Sequence, residues 1–180
     1  MSVAEPRRQA EDDAARALIE YGAVDLADMP VDATRIARFF DADVYFADLD
    51  SEGLDGFMLI DGDHAEITVN ESAARNRRRF TVAHELGHLR HARSNRRARR
   101  RKLGYVDDSE TVREYHRDEA SRDGGSDEEK YANAFAAALL MPERLVRQLH
   151  RSGESVAGMA RFFRVSEQAM LYRVTRLGLR

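Results

Sequence analysis

Apolar and polar positions along this 180-residue chain change period several times, and each change predicts an element. From Ala10 to Tyr21, residues Ala14, Ala17, Leu18 and Tyr21 fall on one stripe, the spacing of an amphipathic helix. The charged start before them is expected to fray. After Pro30, Asp32 is placed to cap a short helix whose apolar face is Ile36, Phe39 and Phe40. Three short apolar runs follow, Val44 to Phe46, Gly56 to Ile60 and Ala65 to Val69. Asp61-Gly62-Asp63 between the last two reads as a hairpin turn, and the three runs together as a small antiparallel sheet. From about Asn76 the period becomes helical again through RRRFTVAHELGHLRHARS, with Phe80, Ala83, Leu86 and Gly87 inward.

The second half begins with residues 90–102, dense in Arg, and 107–129, dense in Asp and Glu and containing Gly124-Gly125-Ser126. These read as a loop or weakly ordered helices between two firm elements. Helical periodicity resumes in EEKYANAFAAALLMPERLVRQL, which Pro142 divides in two. Ser152-Gly153 then precedes two short helices, Ser155 to Phe163 and Ser166 to about Leu177. Ala160, Phe163, Val165, Met170, Leu171, Val174 and Leu177 are spaced as their shared core, in the manner of a helix-turn-helix. No internal repeat is present. The expected architecture is α+β: a small antiparallel sheet packed on the helix that follows it and on further helices. It divides into a partly helical N-terminal extension (1–22), a main domain (23–150) and a C-terminal two-helix subdomain (153–180).

Composition narrows the chemistry. The chain has no cysteine, which excludes disulfides, a thiol nucleophile and any Cys-ligated zinc or iron–sulfur site. No apolar run approaches the ~20 residues of a transmembrane helix, and the first residues lack the apolar core of a secretory signal. A cytoplasmic protein without membrane contact is expected.

One segment carries chemistry. His84-Glu85-Leu86-Gly87-His88 is an HExxH pattern on a predicted helix. Positions i and i+4 lie on one face, so the two imidazoles can share one Zn²⁺, which favours nitrogen ligands and a tetrahedral shell. Glu85 points roughly 100° away around the axis, suited to taking a proton from a water activated at the metal rather than to ligating it. Gly87 inside a helix costs ~1 kcal/mol relative to Ala, which implies a close approach by another element.

Zinc needs a third protein ligand. His91 shares the stripe of His84, but seven residues rise ~10.5 Å along a helix, too far for bonds of ~2 Å to converge on one ion. With no cysteine, the ligand must be a remote Asp, Glu or His. Glu129 is the best candidate because it opens an apolar helix containing Tyr131, Ala134, Phe135 and Ala138, with Asn133 one turn on and placed to orient a ligand. Asp127, Glu128 and His116 are its rivals.

The segments Arg77-Arg78-Arg79-Phe80-Thr81-Val82-Ala83-His84-Glu85-Leu86-Gly87-His88-Leu89 and Glu129-Lys130-Tyr131-Ala132-Asn133-Ala134-Phe135-Ala136-Ala137-Ala138-Leu139-Leu140-Met141-Pro142, with the preceding Ile67-Thr68-Val69-Asn70, occur in one order. This resembles the ImmA/IrrE family of metallopeptidases over roughly residues 32–150. The resemblance implies that His84, His88 and Glu129 bind zinc and that Glu85 is the general base. It implies a site-specific endopeptidase whose substrate is a helix-turn-helix transcriptional repressor, cleaved to derepress its genes. A residue that stabilises the oxyanion is expected as well, with Tyr105, Tyr115 and His116 as candidates. Two departures stand out: Tyr131 where the family often has an acidic residue, and the Arg-rich stretch after the motif. The competing classes are a non-catalytic, zinc-stabilised regulatory or antitoxin-like partner-binding protein, and a DNA-binding regulator built on the C-terminal helices.

The net charge of −3 conceals two opposed blocks. Arg75 to Lys102 holds twelve Arg or Lys against one Glu, and Asp107 to Glu129 holds ten acids against three Arg. Their proximity in sequence favours mutual neutralisation over a nucleic-acid surface, and a lid over the cleft is a third role for the acidic block. For the C-terminal pair, packing on the catalytic domain is favoured over groove contacts by Gln168, Arg173 and Arg176, since so few basic residues would hold DNA weakly.

Overall fold

The computed structural model describes the backbone of residues 4–49, 54–61, 63–103, 113–116 and 127–179, and side chains within 6–49, 54–61, 63–94 and 127–179. Helices α1 (Ala4–Tyr21) and α2 (Ala33–Phe39) precede strands β1 (Ala42–Ala47), β2 (Gly56–Asp61) and β3 (His64–Asn70). The long helix α3 (Arg75–Leu103) and strand β4 (Arg113–His116) follow. Then come α4 (Asp127–Leu140), α5 (Glu143–Arg151), α6 (Val156–Phe163) and α7 (Glu167–Arg176).

Local chemistry sets the element boundaries. Asp32 caps α2 by accepting from the backbone N–H of Thr34 at 3.0 Å and of Arg35 at 3.2 Å. Ser155 and Ser166 cap α6 and α7 through the N–H groups of Gly158 at 3.0 Å and Ala169 at 3.1 Å. Pro142 stands immediately before α5, where its missing N–H leaves no gap in the helix.

The four described strands form one sheet in the order β1-β3-β2-β4. The hairpin of β2 and β3 is antiparallel as the turn predicts, with Met58 opposite Ile67 and Ile60 opposite Ala65. The sheet as a whole is mixed rather than antiparallel, because β1 pairs parallel with β3, Val44 lying opposite Ile67. The hairpin folds back so that β3, not β2, sits beside β1. Val44, Met58, Ile60, Ala65, Ile67 and Val69 are buried on the face that packs on α3. The acidic stretch contributes β4, antiparallel to the outer side of β2; its remainder and its folding onto the Arg-rich block lie outside the described residues.

Helix α4 is buried between α1 and α3. The stripe of α1 is fully covered: Ala10, Ala14 and Ala17 have no exposed surface and Leu18 very little. Small residues on one helix let the other come close. Helix α3 does not stop where the Arg-rich stretch begins but continues through it to Leu103. Its first two arginines there turn back onto the domain. Arg90 lies over the Phe40 ring at 4.5 Å, and Arg93 donates to Phe40 O at 2.6 Å and also to Asp63 O.

The C-terminal pair packs on the rest of the chain through Met159, Phe163, Met170 and Val174. One expected core position differs: Leu171 is 55% exposed. Arg173, which the less favoured DNA-reading alternative places in a groove, is 3% exposed. Arg173 donates to Met141 O at 3.1 Å and to Glu11 at 2.6 Å, tying α7 to α1 and to the turn before α5. Phe39 is likewise 52% exposed, resting edge-on against Tyr21 and Phe40.

Gly87 explains itself in this packing. A Cβ there would meet Ala132 Cα at 3.0 Å and Phe135 Cβ at 3.2 Å, so α3 and α4 touch backbone to backbone. Gly87→Val is expected to destabilise the fold by about 3 kcal/mol through overpacking and to loosen metal binding by parting the two helices. Urea unfolding and metal titration check both.

Candidate metal centre

Helix α3 places His84 and His88 one turn apart on the face toward α4, where both are buried. Their rings meet edge to face with centroids 4.7 Å apart, and the two Nε2 atoms approach to 3.0 Å. Helix α4 supplies Glu129 in its first turn. One carboxylate oxygen lies 3.0 Å from His88 Nε2 and the other 3.4 Å from His84 Nε2. Asn133, one turn further, accepts a hydrogen bond at 3.1 Å from His84 Nδ1. The close contact at Gly87 is what brings these donors from two helices to one point.

These donors fit a metal ion. Asn133 Oδ1 can only accept, so His84 Nδ1 keeps a proton; Nε2 can then carry a second proton toward Glu129 in the metal-free chain, or release it and turn a lone pair inward to a metal. That lone pair, the second imidazole and a carboxylate converge on a spot that requires positive charge. Donor atoms around a tetrahedral ion with bonds of about 2.0–2.1 Å sit roughly 3.3 Å apart, close to the 3.0–3.4 Å separations here. Among the described residues these three are the group with metal-ligand spacing.

The electrostatics agree. Burial would raise the Glu129 carboxyl, but hydrogen bonds and charge from His84 and His88 outweigh it and hold the group well below the usual carboxylate range. Burial would lower His88, but its hydrogen bond to Glu129 and the charges of Glu85, Glu129 and Glu128 outweigh it and raise the imidazole. Glu85 is 1% exposed with both carboxylate oxygens buried, one residue around the helix from His84. Its charge reaches the metal-side imidazole without belonging to the ligand group.

Two of the rivals for the third position, Asp127 and Glu128, stand away from the donors. Asp127 and Glu128 are exposed, and Asp127 pairs with Lys130 at 3.2 Å. His91 stays apart from the donors, its ring 4.6 Å from that of Tyr131. The side chains of His116, named both as a rival ligand and as an oxyanion candidate, and of Tyr105 and Tyr115 lie outside those described.

One supporting contact was not readable from sequence. Tyr131, at the position where an acidic residue is common in the resembling family, donates from its hydroxyl to Asp13 on α1 at 2.6 Å. Burial, reinforced by Asp13, pushes the Tyr131 phenol above its usual range. No local pattern marks the pair, because the partners are 118 residues apart. The Asn133 contact was legible from its one-turn spacing. Asn133→Ala is expected to weaken metal binding by roughly 10–100-fold while leaving the fold intact, measured by competition with a chelating dye.

A helix bearing two histidines one turn apart, a buried glutamate beside the first and a carboxylate from the next buried helix together define a metallopeptidase-like domain of α+β type. The chain belongs to the peptidase family described as the IrrE N-terminal-like domain, whose model matches residues 37–175. Among solved structures it is similar to a Mycobacterium tuberculosis transcriptional regulator, at 18% identity and a TM-score of 0.62. That likeness covers 97% of this chain and 52% of the other, so the chain spans about half the length of the regulator, and it shows the fold alone. No curated protein matches the chain. No described helix is long and apolar enough to cross a membrane.

Proposed function

We propose that this protein is a zinc-dependent, site-specific endopeptidase of the cytoplasm that cleaves a helix-turn-helix transcriptional repressor. The observation that carries the enzymatic reading is the count and kind of donors: two imidazoles and one carboxylate, with a second carboxylate, Glu85, buried alongside and outside the ligand group. A purely structural zinc site is closed by four protein ligands and has no use for Glu85. His84, His88 and Glu129 would hold the ion. When bound, zinc supplies Lewis-acid polarisation of the scissile carbonyl and eases deprotonation of the attacking water.

The chain's own groups do the rest. Asn133 fixes the His84 tautomer and keeps Nε2 turned inward. Glu85 accepts a proton from the attacking water and passes it to the departing amine, which lets one carboxylate serve both halves of the hydrolysis. Its burial keeps bulk water from competing for that proton.

The repressor as substrate rests on the family resemblance. Burial of Arg173 removes one of the three side chains that a DNA-reading role for α7 would use, which favours α6 and α7 as a packing subdomain. Co-incubation of the purified protein with the helix-turn-helix protein encoded beside it, with and without a chelator, tests the function. A discrete cleavage that the chelator abolishes is expected. An intact repressor in the presence of zinc-loaded protein would refute the proposal.

A further inference from the structure

The face of α3 away from the histidines carries a feature that peptide hydrolysis does not use. Arg75, Arg78 and Arg79 fall on one helical stripe, at 100° per residue nearly opposite His84 and His88. They line a cleft of about 290 Å³ together with Arg164, from the turn between α6 and α7, and with Asp32 and Phe46.

The charge in this cleft is unbalanced. Among the described residues, Arg75, Arg78 and Arg164 form no ion pair with a carboxylate. Arg78 instead lies over the Phe46 ring, 5.7 Å from its centroid. Arg79 spends its donors on carbonyl oxygens, those of Val31 at 2.9 Å and of Phe163 at 3.0 Å and also that of Arg164. It therefore contributes charge to the cleft, offset in part by the field of Asp32. The one acid present, Asp32, is already engaged in capping α2 and lies 3.6 Å from Arg35. Burial and then the charge of Arg164 depress Arg79, Asp32 offsets part of this, and Arg75 adds to the depression, which places these cations within each other's field.

Arg164 adds an independent sign. It ends α6 with φ +52°, a left-handed conformation that glycine holds without strain and that ordinary side chains rarely adopt. An arginine in a backbone conformation that favours glycine points to a use for its side chain.

We propose that this cleft binds a small phosphate-bearing anion, on the side of α3 away from the metal centre. A phosphomonoester brings nearly two negative charges and three strong acceptor oxygens, enough for several guanidinium groups, whereas a carboxylate brings one charge and two oxygens. The cleft is the size of a small-molecule site. It is too short for the extended run of contacts that a nucleic-acid strand makes, and the exposed Phe46 ring offers an apolar wall for a ligand's organic part.

Calorimetric titration of the full chain at fixed ionic strength, with inorganic phosphate, adenosine 5′-monophosphate and malonate as probes, tests this. Saturable one-site binding of phosphate or the nucleotide, at least tenfold tighter than malonate, is expected. Stronger binding of the nucleotide than of phosphate would assign the organic wall, and equal binding would assign the phosphate group alone. Arg164→Gly, which suits the backbone there, and Arg78→Gln should each weaken binding at least tenfold without changing the thermal midpoint of the unliganded protein by more than a few degrees. Malonate binding as tightly as phosphate, no saturation at millimolar concentration, or wild-type affinity in both variants would overturn the proposal.

Discussion

Glu85→Gln is expected to keep its metal and to lose peptide cleavage by roughly 10²–10⁴-fold, the range that one positioned general acid–base supplies. The substitution preserves volume, so the tightly packed α3 is not disturbed. An amide cannot accept the proton of the attacking water, and the loss should therefore fall on kcat rather than on KM. Metal binding should persist because the three ligands are untouched. The Glu85 charge is among the influences that raise His88. Removing it lowers the proton affinity of His88, which reduces proton competition, and also removes a negative charge near the cation, so the two effects oppose each other and the three ligands decide retention. Metal content by mass spectrometry and cleavage of a peptide spanning the repressor's cut site are the two readouts. A variant that retains full activity, or that has lost its metal, would remove Glu85 from the role assigned to it.

Glu129→Ala should do the reverse and abolish metal retention. Two imidazoles remain on α3, but the carboxylate brought by α4 is gone, and affinity should fall by more than the roughly 10–100-fold that loss of an outer-shell partner costs. The same variant carries a pH signature in the metal-free protein. The Glu129 carboxyl is held below its ordinary value of 4.5 in the folded chain. Its contribution to stability is therefore complete above about pH 4.5 and drains away as pH falls through the depressed folded value. Glu129→Ala should show a flatter acid limb than wild type in urea midpoints measured across that range. Wild-type metal affinity in this variant would discard Glu129 as a ligand.

Legibility in the sequence followed the range of the interaction. Asp32 was readable as a cap, and Ser155 and Ser166 as helix starts, because each acts on an N–H two or three residues away. The strands were readable because Met58 and Ile60, like Ala65, Ile67 and Val69, alternate with exposed or half-buried neighbours. Their pairing was not: a parallel β1 beside β3 depends on which side of β1 the hairpin folds to, and alternation is identical either way. Leu171 has the periodicity of a core residue and stands in solvent, since its helix is covered along a narrower stripe than the pattern allows. Arg173 has the composition of a surface residue and is buried, because Met141 O and Glu11 happen to meet it there.

The metal centre divides along the same line. The chain by itself determined that His84 and His88 share a face and that Glu85 does not, because the α-helix fixes 100° per residue wherever the helix lies. It also determined, through the absence of cysteine, that the third donor is an oxygen or an imidazole. Only the tertiary structure brings Glu129, rather than Asp127 or Glu128 a step or two away on the same helix, beside the two imidazoles. That placement rests on how α4 packs on α3, with Gly87 against Ala132, and on the burial of α4 beneath α1. The four-arginine cleft is likewise a product of packing, since Arg164 comes to its partners on α3 only when α6 and α7 dock. Residues joined through one helix turn can be read along the chain, and residues joined through packing appear once the helices have met.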